Sequence, residues 1–293
     1  MLTVSQMRKI LDEAGLAPRQ RFGQCFLIDR NLMQRLIDTA ELGAGDTVLE
    51  VGPATGSLTE DLLARAGRVV AVEIDKGLAR VLTNRLGSEV KLTIITGDVL
   101  AGKHAIAPRV LAALGPQAKL VSNLPYNIAT PLIVECLVSS WRAQHGQVGC
   151  CRFDRLVFTV QKEVADRIAA QPNGSQYGQV SVLVSMLGGV SAGPVVPPSA
   201  FWPVPKVHSQ IVRIDFNSAS ADRLPDLPAL QELLALAFSQ RRKQIGSIFR
   251  KARGRFHPQV MAEALASAGV PTQHRPQQIT PDQFAAMASF LTA

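Results

Sequence analysis

The chain has 293 residues, 47% of them hydrophobic, and a formal net charge of +8 from 31 Lys and Arg against 23 Asp and Glu. That is enough chain for one large domain plus a small one, and the charge favours a polyanionic partner without separating RNA from DNA. Cys25, Cys136, Cys150 and Cys151 show no C-x-x-C spacing and no nearby histidine pair, which argues against zinc, against a disulfide framework and against any metal site. The first ten residues, MLTVSQMRKI, lack an apolar signal core, and no run approaches about 18 apolar residues. The expectation is a soluble cytoplasmic protein with no membrane segment.

In chain order, Val4, Met7, Ile10 and Leu11 predict a short amphipathic helix, followed by a loop up to residue 28. From residue 29 to about 216 apolar strand patterns alternate with helical ones, the signature of a parallel α/β sheet whose ligands gather at the carboxyl ends of its strands. Residues 47–63 read as strand, glycine turn and helix, with Ser57 and Glu60 at capping-box spacing. The turn is G-x-A-x-G. Gly52 and Gly56 allow close backbone approach, and the helix behind them offers its N-terminus to an anionic or electron-rich group. The strand at 68–74 ends at Glu73, where doubly wound folds hold a ribose diol. The strand at 92–96 runs into Gly97-Asp98-Val99, whose carboxylate could accept from an adenine amino group. Alone, either acid reads equally as a helix cap or a solvated loop charge; at the ends of successive strands they point to one crevice. Segments 101–117 and 141–153 read as surface connections.

The apolar run 119–122 ends in Asn123-Leu124-Pro125-Tyr126. An adenine amino nitrogen delocalises its lone pair into the ring and is a poor nucleophile until two acceptors draw it out of conjugation. The Asn123 oxygen and the free carbonyl beside the Pro125 ring can each take one hydrogen of an NH2 group, and Tyr126 can stack on the base. Read alone, the same four residues also fit a strand ending in an ordinary Asn-Pro turn.

After a polar stretch at 217–228 the pattern becomes helical only, through 230–237, 259–268 and 281–291. Between 239 and 256 lie seven basic residues and no acid. On a continuous helix Arg242, Lys243 and Arg250 would share a face toward phosphates, with Arg241 and Lys251 beside them. Three regions are expected: an N-terminal helix and loop at 1–28, an α/β domain at 29–220 and a helical domain at 221–293.

Nine blocks in one order resemble the KsgA/RsmA family of ribosomal RNA adenine dimethyltransferases: RFGQCFLID, VLEVGPATGSLT, VVAVEID, GDVL, SNLPYNIATPLI, FTVQKEVADRI, FWPVPKVHSQIVRI, FSQRRKQI and RPQQITPDQF. The resemblance runs from about residue 20 to the C-terminus. It implies a Rossmann-like α/β domain that is catalytic, with a small all-helical C-terminal domain that is RNA-binding. It also implies S-adenosylmethionine as cofactor and N6,N6-dimethylation of two adjacent adenosines near the 3′ end of small-subunit rRNA in an assembling particle, by a monomer. It places Gln24, Cys25 and Leu27 against the methionine end of the cofactor and Gly52 beneath it. Glu73 falls on the ribose, Asp98 and the Val99 backbone on the adenine edge, and Asn123, with Pro125 and Tyr126, at the reaction centre. Phe201 would sandwich the target base against Tyr126; its other reading is a core phenylalanine beside a proline-rich strand entry.

Two positions depart from the family pattern. Cys25 stands where Asn is usual, and reads as a small buried residue rather than a nucleophile. Ala54 stands where Gly is usual, and is tolerable if its φ is negative. Three other readings compete: a macrolide-resistance methyltransferase of large-subunit rRNA, which FSQRRKQI and RPQQITPDQF disfavour; a mitochondrial-type transcription factor, which the intact Asn123-Leu124-Pro125-Tyr126 disfavours; and a nicotinamide dehydrogenase, in which Glu73 would hold the NAD ribose.

Overall fold

A computed structural model describes residues 2–19, 23–102, 105–253 and 256–291. The strands are β1 (Phe26–Leu27), β2 (Thr47–Val51), β3 (Arg68–Glu73), β4 (Leu92–Thr96), β5 (Gln117–Asn123), β6 (Arg152–Gln161), β7 (Gly188–Val196), β8 (Phe201–Trp202) and β9 (Ser209–Phe216). Seven of them form one sheet in the order β4-β3-β2-β5-β6-β9-β7, while β1 and β8 pair separately. Strands β4, β3, β2, β5 and β6 run parallel, and β9 is antiparallel to β6. The expected parallel sheet is therefore mixed at one side.

The chain leaves β2 toward β3 and β4 on one side and takes up β5 and β6 on the other, so the connection reverses between β2 and β5. A crevice at the carboxyl ends of the strands belongs at such a point. The pairing of β2 with β5 is confined to Val48–Lys119 and Leu49–Leu120, and beyond it the Ser122 hydroxyl donates to the Val51 carbonyl at 2.7 Å. The strand ends thus part while staying tied. Residues 48–51 and 69–73 are buried throughout, as expected for central parallel strands covered on both faces.

The connectors differ from the sequence reading in two places. Segment 101–117 contains the helix Pro108–Leu114, which seats Val110 and Leu114 in the core. The helix Ser57–Leu63 is capped by Gly56 in the left-handed region (φ 84°), not by a Ser57 capping box. With Gly56 in the cap position, Ser57 falls inside the first turn, and the Glu60 carboxylate is held by Arg85. The N-terminal helix Val4–Glu13 forms as expected and buries Met7 and Leu11 beside Phe26, Ala54 and Leu78.

Residues divide into two compact units, one made of 1–165 and 191–216, the other of 166–190 and 217–293. Two expected boundaries move: 1–28 clusters with the first unit, and 166–190 clusters with the C-terminal helices. The reason is burial. The helix Gln179–Leu187 buries Val182, Leu183, Val184, Met186 and Leu187 and packs on the helices Leu227–Phe238 and Pro281–Phe290. Within this second unit the Tyr177 hydroxyl donates to the Ile279 carbonyl at 2.9 Å, and the rings of Tyr177 and Phe284 flank Phe238.

Candidate active site

A cleft opens at the carboxyl ends of β2, β3, β4 and β5, where a doubly wound sheet places its ligands. Its lining includes Gln24, Cys25, Gly52, Glu73, Asp98, Val99, Asn123 and Pro125, residues spread over a hundred positions of sequence.

The glycine turn forms the floor. Gly52 has φ 72°, and a Cβ there would stand 3.1 Å from the Pro125 ring, so the turn and the Asn-Leu-Pro-Tyr loop meet where a side chain would block them. Ala54 adopts φ 52°, so the condition of negative φ under which its methyl would be unstrained is not met. A left-handed conformation costs a non-glycine residue about 1–2 kcal/mol. Two contacts hold it there: the Ala54 N–H donates to Glu73 Oε2 at 3.1 Å, and its methyl packs among Met7, Leu11 and Phe26.

Glu73 is 2% exposed. Its Oε1 accepts from the Asp75 N–H at 2.9 Å, and its Oε2 takes the Ala54 bond. Burial pushes its carboxyl upward, and the backbone hydrogen bonds oppose that shift. Each oxygen keeps one acceptor position, which fits a vicinal diol. Asp98 is exposed on the rim, with Oδ1 taking the Leu100 N–H at 2.9 Å and Oδ2 left for an outside donor. Val99 is buried and lines the same end.

At the other end, Asn123 donates from Nδ2 to the Cys25 carbonyl at 2.8 Å and accepts at Oδ1 from the Thr159 hydroxyl. The contact from the loop at position 25 is made by main chain, so the exchange of Asn for Cys leaves it intact. Burial pushes the Cys25 thiol up, which keeps it protonated and a poor nucleophile. Gln24 lines the cleft, with its Oε1 accepting the Arg19 N–H at 2.7 Å. Leu27 does not line it with its side chain, which is 4% exposed and packs in the core.

The aromatic pair is not assembled. The Tyr126 hydroxyl meets Ser209 Oγ at 2.8 Å, and burial pushes its phenol further above the ordinary value. Phe201 is 1% exposed and sits in the core with Leu27, Met33 and Leu36. Pairing of Leu27 with Phe201 in the β1–β8 ribbon turns both side chains inward, and alternation leaves Trp202 half-buried beside Phe26. The core reading of Phe201 is the one the structure bears out.

A buried acid escaped the sequence reading. Glu50, near the end of β2, lines a second cavity that shares Phe26, Gly52, Ala54 and Asn123 with the first. It is 2% exposed, and its Oε2 has no hydrogen-bond partner among the described residues. An acid within the buried run TVLEV was the available signal, because buried carboxyls are rare unless partnered. Burial raises its carboxyl to about 8, and the charge of Glu73 pushes the same way.

That value lies above the 4.5 of an ordinary glutamate, so ionisation of Glu50 opposes folding. Stability is fully present below about pH 4.5 and falls as the pH rises to about 8. Glu50→Gln stays neutral and is expected to melt several degrees above wild type at pH 9, with the gap closing toward pH 5. Parallel melting curves of the two proteins across this range would show that Glu50 does not titrate there.

These features fit S-adenosylmethionine. The two-ended carboxylate of Glu73 matches a ribose diol, Asp98 Oδ2 matches an amino-bearing ring edge, and the unpartnered Glu50 oxygen matches an ammonium group. Among the described residues no group of three His, Cys, Asp or Glu could hold a metal ion, and no helix is long and apolar enough to cross a membrane.

The family model described as ribosomal RNA adenine dimethylase matches residues 15–293. The chain belongs to that family. A relative from Moorella thermoacetica named ribosomal RNA small subunit methyltransferase A is 34% identical, over 96% of this chain and 95% of its own length. One of the same name from Phenylobacterium zucineum is 38% identical, over 91% of this chain and 87% of its own. The crystal structure of a dimethyladenosine transferase from Plasmodium falciparum superposes with a TM-score of 0.69 at 23% identity, covering 89% of this chain and 95% of that one, and it shows the shared fold.

Proposed function

We propose that this family member transfers methyl groups from S-adenosylmethionine to N6 of two adjacent adenosines near the 3′ end of small-subunit rRNA, acting as a monomer on an assembling particle in the cytoplasm. The observation that carries the reading is the Asn123 amide, held at both ends on the rim of a cleft whose far end carries Glu73 and Asp98.

S-adenosylmethionine supplies, when bound, a methyl carbon activated by the positive sulfur. Glu73 holds the ribose hydroxyls, and Asp98 with the Val99 backbone takes the adenine edge. Asn123 Oδ1 uses its remaining acceptor position on one amino hydrogen of the target base. The Leu124 carbonyl, which precedes the proline ring, takes the second hydrogen, while the Pro125 carbonyl has one of its two acceptor positions filled by the Ile128 N–H at 3.2 Å. Tyr126 stacks on the base. Alignment of this kind is worth several kcal/mol without a dedicated base, since the methylated nitrogen can lose its proton to water. The target base must leave its stack at a cost of a few kcal/mol.

The test is primer extension on small-subunit rRNA from cells lacking the protein. Dimethylation blocks the pairing edge, so the stop near the 3′ end should disappear and return with the gene; a stop that persists in the deletion strain refutes the reading.

The basic segment takes a different form from the expected helix. Residues 239–242 are turns, and the short helix Ile245–Phe249 follows, because the Ile245 and Gly246 N–H groups donate to the His274 and Thr272 carbonyls and pin the chain there. Arg241 is used internally, donating to the Ser175 and Tyr177 carbonyls at 2.9 and 2.6 Å. Arg242, Lys243, Arg250 and Lys251 are exposed and remain the phosphate contacts we propose. Arg242→Gln with Lys243→Gln should make the slope of log affinity against log salt shallower by about 1 to 2 units, with cofactor affinity unchanged. An unaltered slope would mark these charges as a solvated face.

A further inference from the structure

The Asn123 amide can sit in two orientations related by a half-turn about its last side-chain bond. The productive one presents oxygen to an amino group; the other presents NH2 to NH2 and repels it. What selects between them lies on the neighbouring strand. In the parallel ladder of β5 and β6 Asn123 and Thr159 are register partners, and the Thr159 hydroxyl donates to Asn123 Oδ1.

Thr159 is 0% exposed, and its neighbours Leu156, Val157, Phe158 and Val160 are equally buried and all apolar. A valine would satisfy the strand and the core as well as a threonine does. The hydroxyl is the exception in that run, and its partner is Asn123. A carbonyl oxygen has two acceptor positions, so the bond from Thr159 occupies one and leaves the other toward the cleft.

We propose that Thr159 is a positioning residue for methyl transfer: its hydroxyl, together with the Cys25 carbonyl, keeps the Asn123 amide in the orientation that receives the adenine amino group. This rests on the role assigned to Asn123 above. Rotation of the amide would set its oxygen against the Cys25 carbonyl oxygen, so the main chain supplies one half of the selection and Thr159 the other.

The test compares full-length wild type, Thr159→Val, Thr159→Ser and Asn123→Ala on unmethylated small-subunit particles with tritiated S-adenosylmethionine, alongside calorimetric cofactor titration and melting. Thr159→Val should lower kcat by up to about five- to tenfold, the loss expected when one hydrogen bond's net worth is missing from the aligned transition state, with cofactor Kd and Tm near wild type. Thr159→Ser should restore kcat to within about twofold, since it keeps the donor. Wild-type kcat in Thr159→Val beside an inactive Asn123→Ala would overturn the role of Thr159 while sparing that of Asn123. Equal impairment and equal loss of Tm in the valine and serine variants would overturn it in favour of packing. Full turnover by Asn123→Ala would overturn both. If the valine variant is insoluble, Thr159→Ala removes the same donor without added bulk and is read in the same way.

Discussion

Asn123→Ala is expected to lower single-turnover methyl transfer by about a hundredfold or more, the size of effect seen when one preorganised polar group facing the reacting atoms is removed. The substitution takes away the acceptor that draws the adenine amino group out of conjugation. It also leaves the Cys25 carbonyl and the Thr159 hydroxyl without their partner. Cofactor affinity should fall only modestly, because Glu73 and Asp98, at the far end of the cleft, are untouched. Single-turnover kinetics with calorimetric titration of S-adenosylmethionine separates the two effects. Near wild-type turnover would refute the assignment of Asn123 to the reaction centre.

The second large effect belongs to Glu73. Its two oxygens are the only groups we assign to the ribose hydroxyls, and a hydrogen bond to a charged group is worth about 1.5–3 kcal/mol. Glu73→Ala should therefore weaken the cofactor by about tenfold to a hundredfold or more, with RNA affinity in the absence of cofactor unchanged. The carboxylate also satisfies the Asp75 and Ala54 N–H groups, so the variant will lose some stability, and melting must accompany the titration. Glu73→Gln keeps an acceptor for one of those groups and is expected to fall between wild type and alanine. An unchanged cofactor Kd in Glu73→Ala would move the ribose elsewhere in the cleft.

The acids at the strand ends were legible because sheet topology brings every carboxyl end to one side. Glu73, Asp98 and Asn123 each close an apolar run, and closing a run is a local property. Facing is not. Phe201 was misplaced because its direction follows from pairing with Leu27, more than 170 positions away in sequence, and a two-residue strand leaves too little alternation to read. Arg241 was taken for a phosphate ligand because nothing nearby in sequence announces the Ser175 and Tyr177 carbonyls that it binds. The continuous basic helix failed for a similar reason: distant carbonyls at 272 and 274 compete for the amides that would have continued it. Ala54 shows the opposite failure. A methyl group suggests negative φ, yet the glycine turn holds it at 52° because the Ala54 amide is needed by Glu73. Glu50 and Thr159 were passed over because each looks like an ordinary member of a buried strand until its surroundings are known.

The division of the chain bears on how this protein can be taken apart. The polypeptide passes into the second unit at 165–166, returns at 190–191 and leaves again at 216–217. A stop codon after residue 216 would therefore not release an independent catalytic fragment. It would strand the helix Gln179–Leu187, with its five apolar side chains, without the helices Leu227–Phe238 and Pro281–Phe290 that cover it. Testing the proposed division between methyl transfer and RNA contact calls for surface charge substitutions or for an internal deletion that removes 166–190 together with the tail, so that both visits to the second unit are excised at once.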